Sequence, residues 1–422
     1  MNTLAELLTK FSQTHGASGY EGDVRNLFIR ELKKLVDDIE ITPLGSVVGI
    51  KRAPQSRRTA RTQAPRVLIE AHMDEIGFIV TSVDDGLIRF DEIGIFDPRV
   101  LPAQSVLVHG RKTLPGVIGA RPPHVLTAEE RKKTLALNDL YIDVGLAAER
   151  LQELVSVGDF ITLNQNVISL RNNLYAGKAF DDRASLVVLL EMLRQLQNVK
   201  HTWDVYVVAN VNEEDSSIYV GALTSTFKIQ PQVAICLDVT HAQQANLNEE
   251  QLPRLKEGPC IARGANIHPY VFEKLRQAAA REQIPHQITV YGSNTGTNAW
   301  MMQVAGEGVP TGLVELPLRY MHTSVETVQL DDIARAADLL RVFIAALSRE
   351  DLILQSDGLV WDKNQVAARK LRAAKRVPAR KAKRRTIPRR ARRRIEARRP
   401  ARRPASLERS TRRAKSIGKR RA

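Results

Sequence analysis

Three mostly apolar runs in this chain each end in residues of metal-binding type. Val67-Leu68-Ile69-Glu70-Ala71 stops at His72-Met73-Asp74-Glu75, Val205 to Val211 stops at Asn212-Glu213-Glu214, and Val233 to Leu237 stops at Asp238. Runs of this length and β-branched content read as strands buried on both faces of a sheet. Helical patterns lie between and after them, at Ala184 to Leu196, Gly221 to Phe227, Pro269 to Glu282 and Asp331 to Ala346. Strands that alternate with helices predict an α/β fold, and open α/β sheets carry their sites just beyond the carboxyl ends of strands.

A fourth stretch belongs with these. Gly177-Lys178-Ala179-Phe180-Asp181-Asp182-Arg183 sets two carboxylates on a glycine-led loop directly before an apolar helix. Asp is also a common N-cap, so the pair alone is weak evidence for a site. His72 and Asp74 before it, and Glu213, Glu214, Asp238 and His322 after it, strengthen the case. Alternation along an extended chain points His72 and Asp74 to one side, where the carboxylate can hold the second nitrogen of the imidazole.

The remaining organisation follows in chain order. Thr3 to Ser12 and Glu21 to Val36 are amphipathic helices, joined by the turn Gly16 to Tyr20, and a strand is expected around Ile39 to Ile50. Residues 51–66 read as a solvated loop. Short alternating segments with Gly, Pro and Asp turns fill residues 77–166 and predict a small β-rich insertion. The catalytic α/β domain is therefore discontinuous, over residues 1–76 and 167–355. The predicted fold is α/β, a mixed-sheet domain with an inserted β-rich domain and a basic tail.

Charge separates that tail from the rest. Residues 363–422 hold 27 Lys and Arg against two acids, a charge of +25, which leaves the first 362 residues at −9 in a chain of net +16. With few large apolar residues, residues 356–422 are expected to be disordered. Their basic clusters suit nucleic acid or another polyanion, bound through counterion release without base stacking. Two cysteines without motif spacing, Cys236 and Cys260, read as thiols of a reducing compartment, and a cytoplasmic location is expected. The Leu4, Leu7, Leu8, Phe11 pattern is an amphipathic helix and not a signal segment, and no apolar run is long enough to span a membrane.

Imidazole with Asp and Glu oxygens suits Zn or another first-row divalent ion such as Co or Mn, and a bridging Asp allows two ions. In Glu213-Glu214 one carboxylate can ligate while its neighbour takes a proton from water.

The runs Ala71 to Phe78, Gly177 to Arg183, Asn212 to Glu214, Asp238-Val239-Thr240-His241-Ala242, Asn266-Ile267-His268-Pro269 and Leu318 to Glu326 occur in an order and spacing that resembles the tetrahedral (TET) aminopeptidases. That family includes glutamyl and deblocking aminopeptidases and members labelled cellulase M. The resemblance covers roughly residues 4–348. It implies a dinuclear metallo-aminopeptidase, a hydrolase acting on short peptides, with His72 and Asp238 each binding one metal and Asp181 bridging them. Glu214 and His322 complete the shells, Glu213 is the general base for a water activated by the two metals, and Asp74 orients His72. It also implies a β-rich dimerisation module and a homo-oligomer built from dimers, up to a dodecamer.

The chain departs from the family pattern at Asn212, in the segment Asp215 to Ala222, in Gln243 to Lys256, and at Asn298, where Asp is common. These departures are expected beside the substrate. The alternative reading is a non-catalytic or weakly active metallopeptidase-fold scaffold that binds polyanions through its tail. Endoglucanase chemistry needs two carboxylates flanking a sugar, and Trp203, Trp300 and Trp361 are the only tryptophans available for stacking.

Overall fold

In the computed structural model, which describes residues 3–54, 64–215, 218–245 and 252–352, the run Arg66–His72 is an interior strand of a mixed sheet. Among the described residues eight strands form that sheet, in the order Asp38–Ile41, Val47–Lys51, Asp204–Asn210, Arg66–His72, Val233–His241, Thr311–Leu318, Cys260–Gly264 and Gln287–Tyr291. The four strands from Asp204–Asn210 to Thr311–Leu318 are mutually parallel, and antiparallel strands flank them. In the interior strand every residue from Val67 to His72 is buried, in keeping with a run that is apolar but for Glu70.

Register carries the site. Asn210 pairs with His72 across one parallel ladder, and Asp238 pairs with Glu315 across another. Residues opposite each other in a parallel ladder point to the same face, so the strand ends bring their side chains to one edge.

Helix Phe180–Leu196 packs between this sheet and helices Leu4–Gln13 and Leu330–Ala346. Its residues from Phe180 to Leu193 are all buried, as expected of a helix apolar on nearly every side. Asp181 and Asp182 depart from helical backbone angles, and the peptide between them is cis. The first helix is closed by a capping box between Thr3 and Glu6.

The inserted segment forms a closed barrel of strands Gly77–Asp84, Leu87–Ile93, Leu140–Asp143, Thr113–Ala120, Ser105–His109 and Phe160–Leu163. It has its own core, with Phe78 stacked on Phe96 and meeting Phe90 edge-on. The chain passes from the sheet into the barrel at Gly77, where a Cβ would come within 2.8 Å of both Ala17 Cβ and the Ile161 carbonyl oxygen. Strands Ile168–Ser169, Leu174–Gly177 and Glu326–Gln329 make a third, small sheet.

Two local expectations are corrected. The single strand expected around 39–50 is a hairpin of Asp38–Ile41 and Val47–Lys51. Its turn closes through Gly45 N–H donating to Thr42 O, with Gly45 at φ +106°, a conformation that favours glycine. The second helix ends at Leu32 and not at Val36. The basic tail of residues 356–422 lies outside the described residues, as does most of the loop expected at 51–66. No helix among the described residues is long and apolar enough to cross a membrane.

Candidate metal centre

The polar residues at the strand ends converge on one cleft of about 1490 Å³. His72, the last residue of its strand, turns Nε2 toward Asp181 Oδ1 at 3.1 Å and Nδ1 toward Asp74 Oδ1 at 3.4 Å. His322 Nε2 lies 3.5 Å from Asp181 Oδ2 and 3.4 Å from Glu214 Oε2. Asp181 thus sits between two imidazoles that are 250 positions apart in the chain.

The orientation of both rings has a physical cause. His322 Nδ1 is 2.9 Å from the carbonyl oxygen of Ile95, in the inserted segment. A carbonyl only accepts, so Nδ1 carries a proton and Nε2 is the nitrogen turned to Asp181 and Glu214. Asp74 has the same effect on His72, with a carboxylate in place of the carbonyl. Asp74 Oδ2 also accepts from Ser18 Oγ at 2.6 Å and from the backbone N–H groups of Glu213 and Glu214 at 2.9 and 3.0 Å.

Three groups of side chains can each place ligand atoms within 4.8 Å of one another: His72 with Asp182 and Asp238, His72 with Glu213 and Glu214, and Asp181 with Glu214 and His322. All seven residues singled out in the sequence, His72, Asp74, Asp181, Glu213, Glu214, Asp238 and His322, lie in or against this cluster.

Two further residues had been given no role. Asp182, the second carboxylate of the doublet, stands beside His72 and Asp238. Glu326, at the end of a quoted motif, accepts the backbone N–H of Asp181 at 3.1 Å and that of His322 at 2.9 Å.

The electrostatics call for a cation. Burial, with Asp238 and Glu214 as neighbours, raises the Glu213 carboxyl well above its ordinary range. Burial and nearby carboxylates do the same to Asp238 and Asp182. Burial acts to lower His72, but its contacts with Asp181 and Asp74 outweigh that and raise it. Burial alone would likewise lower His322, yet Asp181 and Glu214 push it up to about 12. Glu214 Oε1 is buried without a hydrogen-bond partner. Among the described residues no Lys or Arg lines the cleft. Oxygen and imidazole donors, packed together and short of positive charge, fit a divalent metal.

The departures from the family pattern fall in different places. Asn298, expected beside the substrate, is buried below the cleft, where its side-chain N–H donates to Glu70 Oε2 at 3.0 Å. Asn210 donates to the same oxygen at 2.6 Å, and burial holds the Glu70 carboxyl at about 7. Asn212 donates to Asp215, which lines the cleft, whereas residues 216–217 and 246–251 lie outside the described residues.

The other histidines divide similarly. His241 lines the cleft and His268 does not. His15 and His109 share the hydroxyl of Thr162, and His201 and His286 face backbone carbonyls.

Comparison with known proteins gives one family. Residues 56–339 match the family described as M42 glutamyl aminopeptidase. A lysyl aminopeptidase of Pyrococcus furiosus is 33% identical over 352 residues, which cover 82% of this chain and 98% of that relative. An aminopeptidase from the archaeon Desulfurococcus kamchatkensis superposes with a TM-score of 0.76 at 35% identity, over 85% of this chain and 99% of that one. A TET1 peptidase of Pyrococcus horikoshii, described as assembling into a tetrahedron or a large octahedral shell, gives a TM-score of 0.71 at 29% identity, over 82% of this chain and all of that one.

Proposed function

The chain belongs to the M42 glutamyl aminopeptidase family and is an aminopeptidase, and from that premise we propose that it removes N-terminal residues from short peptides at a dinuclear metal centre. The observation that carries the reading is the sequence of contacts from His72 through Asp181 to His322 and Glu214, at 3.1 to 3.5 Å. Asp181 would bridge two ions, with His72 and Asp238 holding one and Glu214 and His322 the other. Zn or Co fits the donor set, and Mn is compatible with it. Bound there, the ions would supply Lewis acidity toward the scissile carbonyl and toward water.

The protein's own residues do the rest. Glu213 accepts the proton of the attacking water and returns it to the departing amine, a role open to a carboxylate whose affinity for protons burial has raised. Asp74 holds the Glu213 and Glu214 backbone from below while it orients His72. Glu326 keeps Asp181 and His322 in register with each other. The Ile95 carbonyl, reaching over from the inserted segment, fixes the tautomer of His322.

We infer a homo-oligomer built through the inserted β-rich segment, residues 77–166, in keeping with the shells described for the TET1 peptidase. No observation among the described residues favours the scaffold alternative over catalysis. The test is metal-dependent release of the first amino acid from short peptides with free N-termini. Equal turnover in chelated and reloaded protein would overturn the reading.

A further inference from the structure

Beside the metal centre the cleft contains a buried carboxylate that the mechanism does not use. Glu315 lies in strand Thr311–Leu318, directly opposite Asp238 in the parallel ladder. Neighbouring strands are about 4.8 Å apart, so its side chain stands one strand to the side of Asp238 on the same face. It lines the cleft and is 1% exposed.

Its partners are hydroxyls. Tyr291 O–H donates to Oε1 at 2.5 Å and Thr289 O–H to Oε2 at 2.6 Å. Tyr291 is held in turn by Thr240, the two hydroxyls lying 3.1 Å apart. Each carboxylate oxygen keeps a free lone pair. Burial raises the carboxyl to about 7, against the lowering effect of both hydroxyls, and among the described residues no Lys or Arg contributes. A buried carboxylate held by hydroxyls without a counter-ion is normally costly.

The rest of the cleft leans the same way. Its described lining includes Glu92, Asp215 and Glu315 in addition to the carboxylates of the centre, and contains no Lys or Arg. An acidic side chain brought up to Glu315 would meet like charge. Leu252 and Met321, also in the lining, give the cleft apolar surface for an aliphatic stem.

We propose that Glu315 is the specificity determinant for the first residue of the peptide, and that its carboxylate receives the ammonium or guanidinium of an N-terminal Lys or Arg. This rests on the aminopeptidase reading, which places the N-terminal residue at the centre and its side chain in the adjoining part of the cleft. The ammonium of Lys sits on a four-carbon stem with three donors, which matches a recessed acceptor with open lone pairs.

The test compares peptides identical but for the first residue, Lys, norleucine or Glu, on full-length protein reloaded with Zn or Co. Norleucine keeps the stem and removes the charge. Since a hydrogen bond to a charged group is strong, kcat/KM should favour Lys over norleucine by roughly tenfold or more, with Glu the poorest substrate. In Glu315→Gln the Lys-to-norleucine ratio should fall toward one. If wild-type protein cleaves norleucine or Glu peptides as well as Lys peptides, or if Glu315→Gln keeps the Lys preference, the assignment is wrong while the aminopeptidase reading stands. If no peptide is cleaved with metal bound, that reading fails and the assignment with it. The wild-type comparison decides the matter even where the variant does not fold.

Discussion

The carboxylate of Asp74 accepts the backbone N–H of Glu213 at 2.9 Å, and so ties the end of one strand to the loop after the next. The same oxygen takes the N–H of Glu214, and the other faces His72. A single buried side chain thereby sets the relative position of a proposed ligand, a proposed base and a second proposed ligand. Asp74→Asn should lower metal affinity by about tenfold to a hundredfold, with activity falling in parallel. Titration of chelated protein with Zn or Co measures the first effect, and assay at saturating metal separates it from the second.

Glu213→Gln keeps the shape of the side chain and removes its ability to accept a proton. Turnover should drop by about a hundredfold to ten-thousandfold, with metal content unchanged by elemental analysis. Activity within a few fold of wild type would remove Glu213 from the base role.

Chelation should destabilise the fold. Asp182, Glu213 and Asp238 are buried close together, and a bound divalent ion relieves their repulsion. An ion that binds only the native state adds about 4 kcal/mol at a thousand times its Kd. Tm should therefore fall on metal removal and return on reloading, which calorimetry with and without chelator will read.

Behind the cleft, Lys178 Nζ pairs with Glu75 Oε2 at 2.6 Å, both buried, and Arg183 lies 3.6 Å from the other oxygen. Lys178→Met strips Glu75 of its nearer cation. Breaking a buried pair costs about 3–5 kcal/mol. Because Arg183 remains, the low end is expected from denaturant unfolding at fixed metal.

The sequence made some of this arrangement legible and left some of it out of reach, for reasons visible in single residues. His72, Glu213 and Asp238 could be found because an apolar run that stops at a polar residue marks a strand end. Glu326 and Ile95 act through or upon backbone atoms, and a backbone N–H or carbonyl leaves no trace in residue identity. Asn298 was expected in the cleft but points down to Glu70, because its direction depends on how the short helix Ala299–Met302 packs. The strand expected over 39–50 was split by Pro43 and Gly45, a turn signal outweighed by the apolar residues around it. Glu315 was unremarkable in an apolar run, since nothing local indicates that Thr289 and Tyr291 will surround it.

The contact between the segment after the first helix and the barrel should respond to pH. His15 Nδ1 and His109 Nε2 both meet the Thr162 hydroxyl, at 2.7 and 2.9 Å. Burial, helped by Lys178, lowers His15 from its ordinary 6.5 to about 4, and burial lowers His109 as well. Between those two values the unfolded chain binds a proton that the folded chain does not, so stability should fall as pH drops from 6.5 toward 4 and level off below that. Tm across this range should slope less steeply in His15→Gln than in wild type.

The central claim is that the centre removes residues from the N-termini of peptides. The most direct measurement follows one short peptide, with its N-terminus free or acetylated, incubated with chelated and with Zn- or Co-reloaded full-length protein, the products being read by mass spectrometry. The account predicts stepwise loss of the first residue from the free peptide, only with metal, and no cleavage of the acetylated one. Internal cleavage, or an intact free peptide with two ions bound per chain, would contradict it.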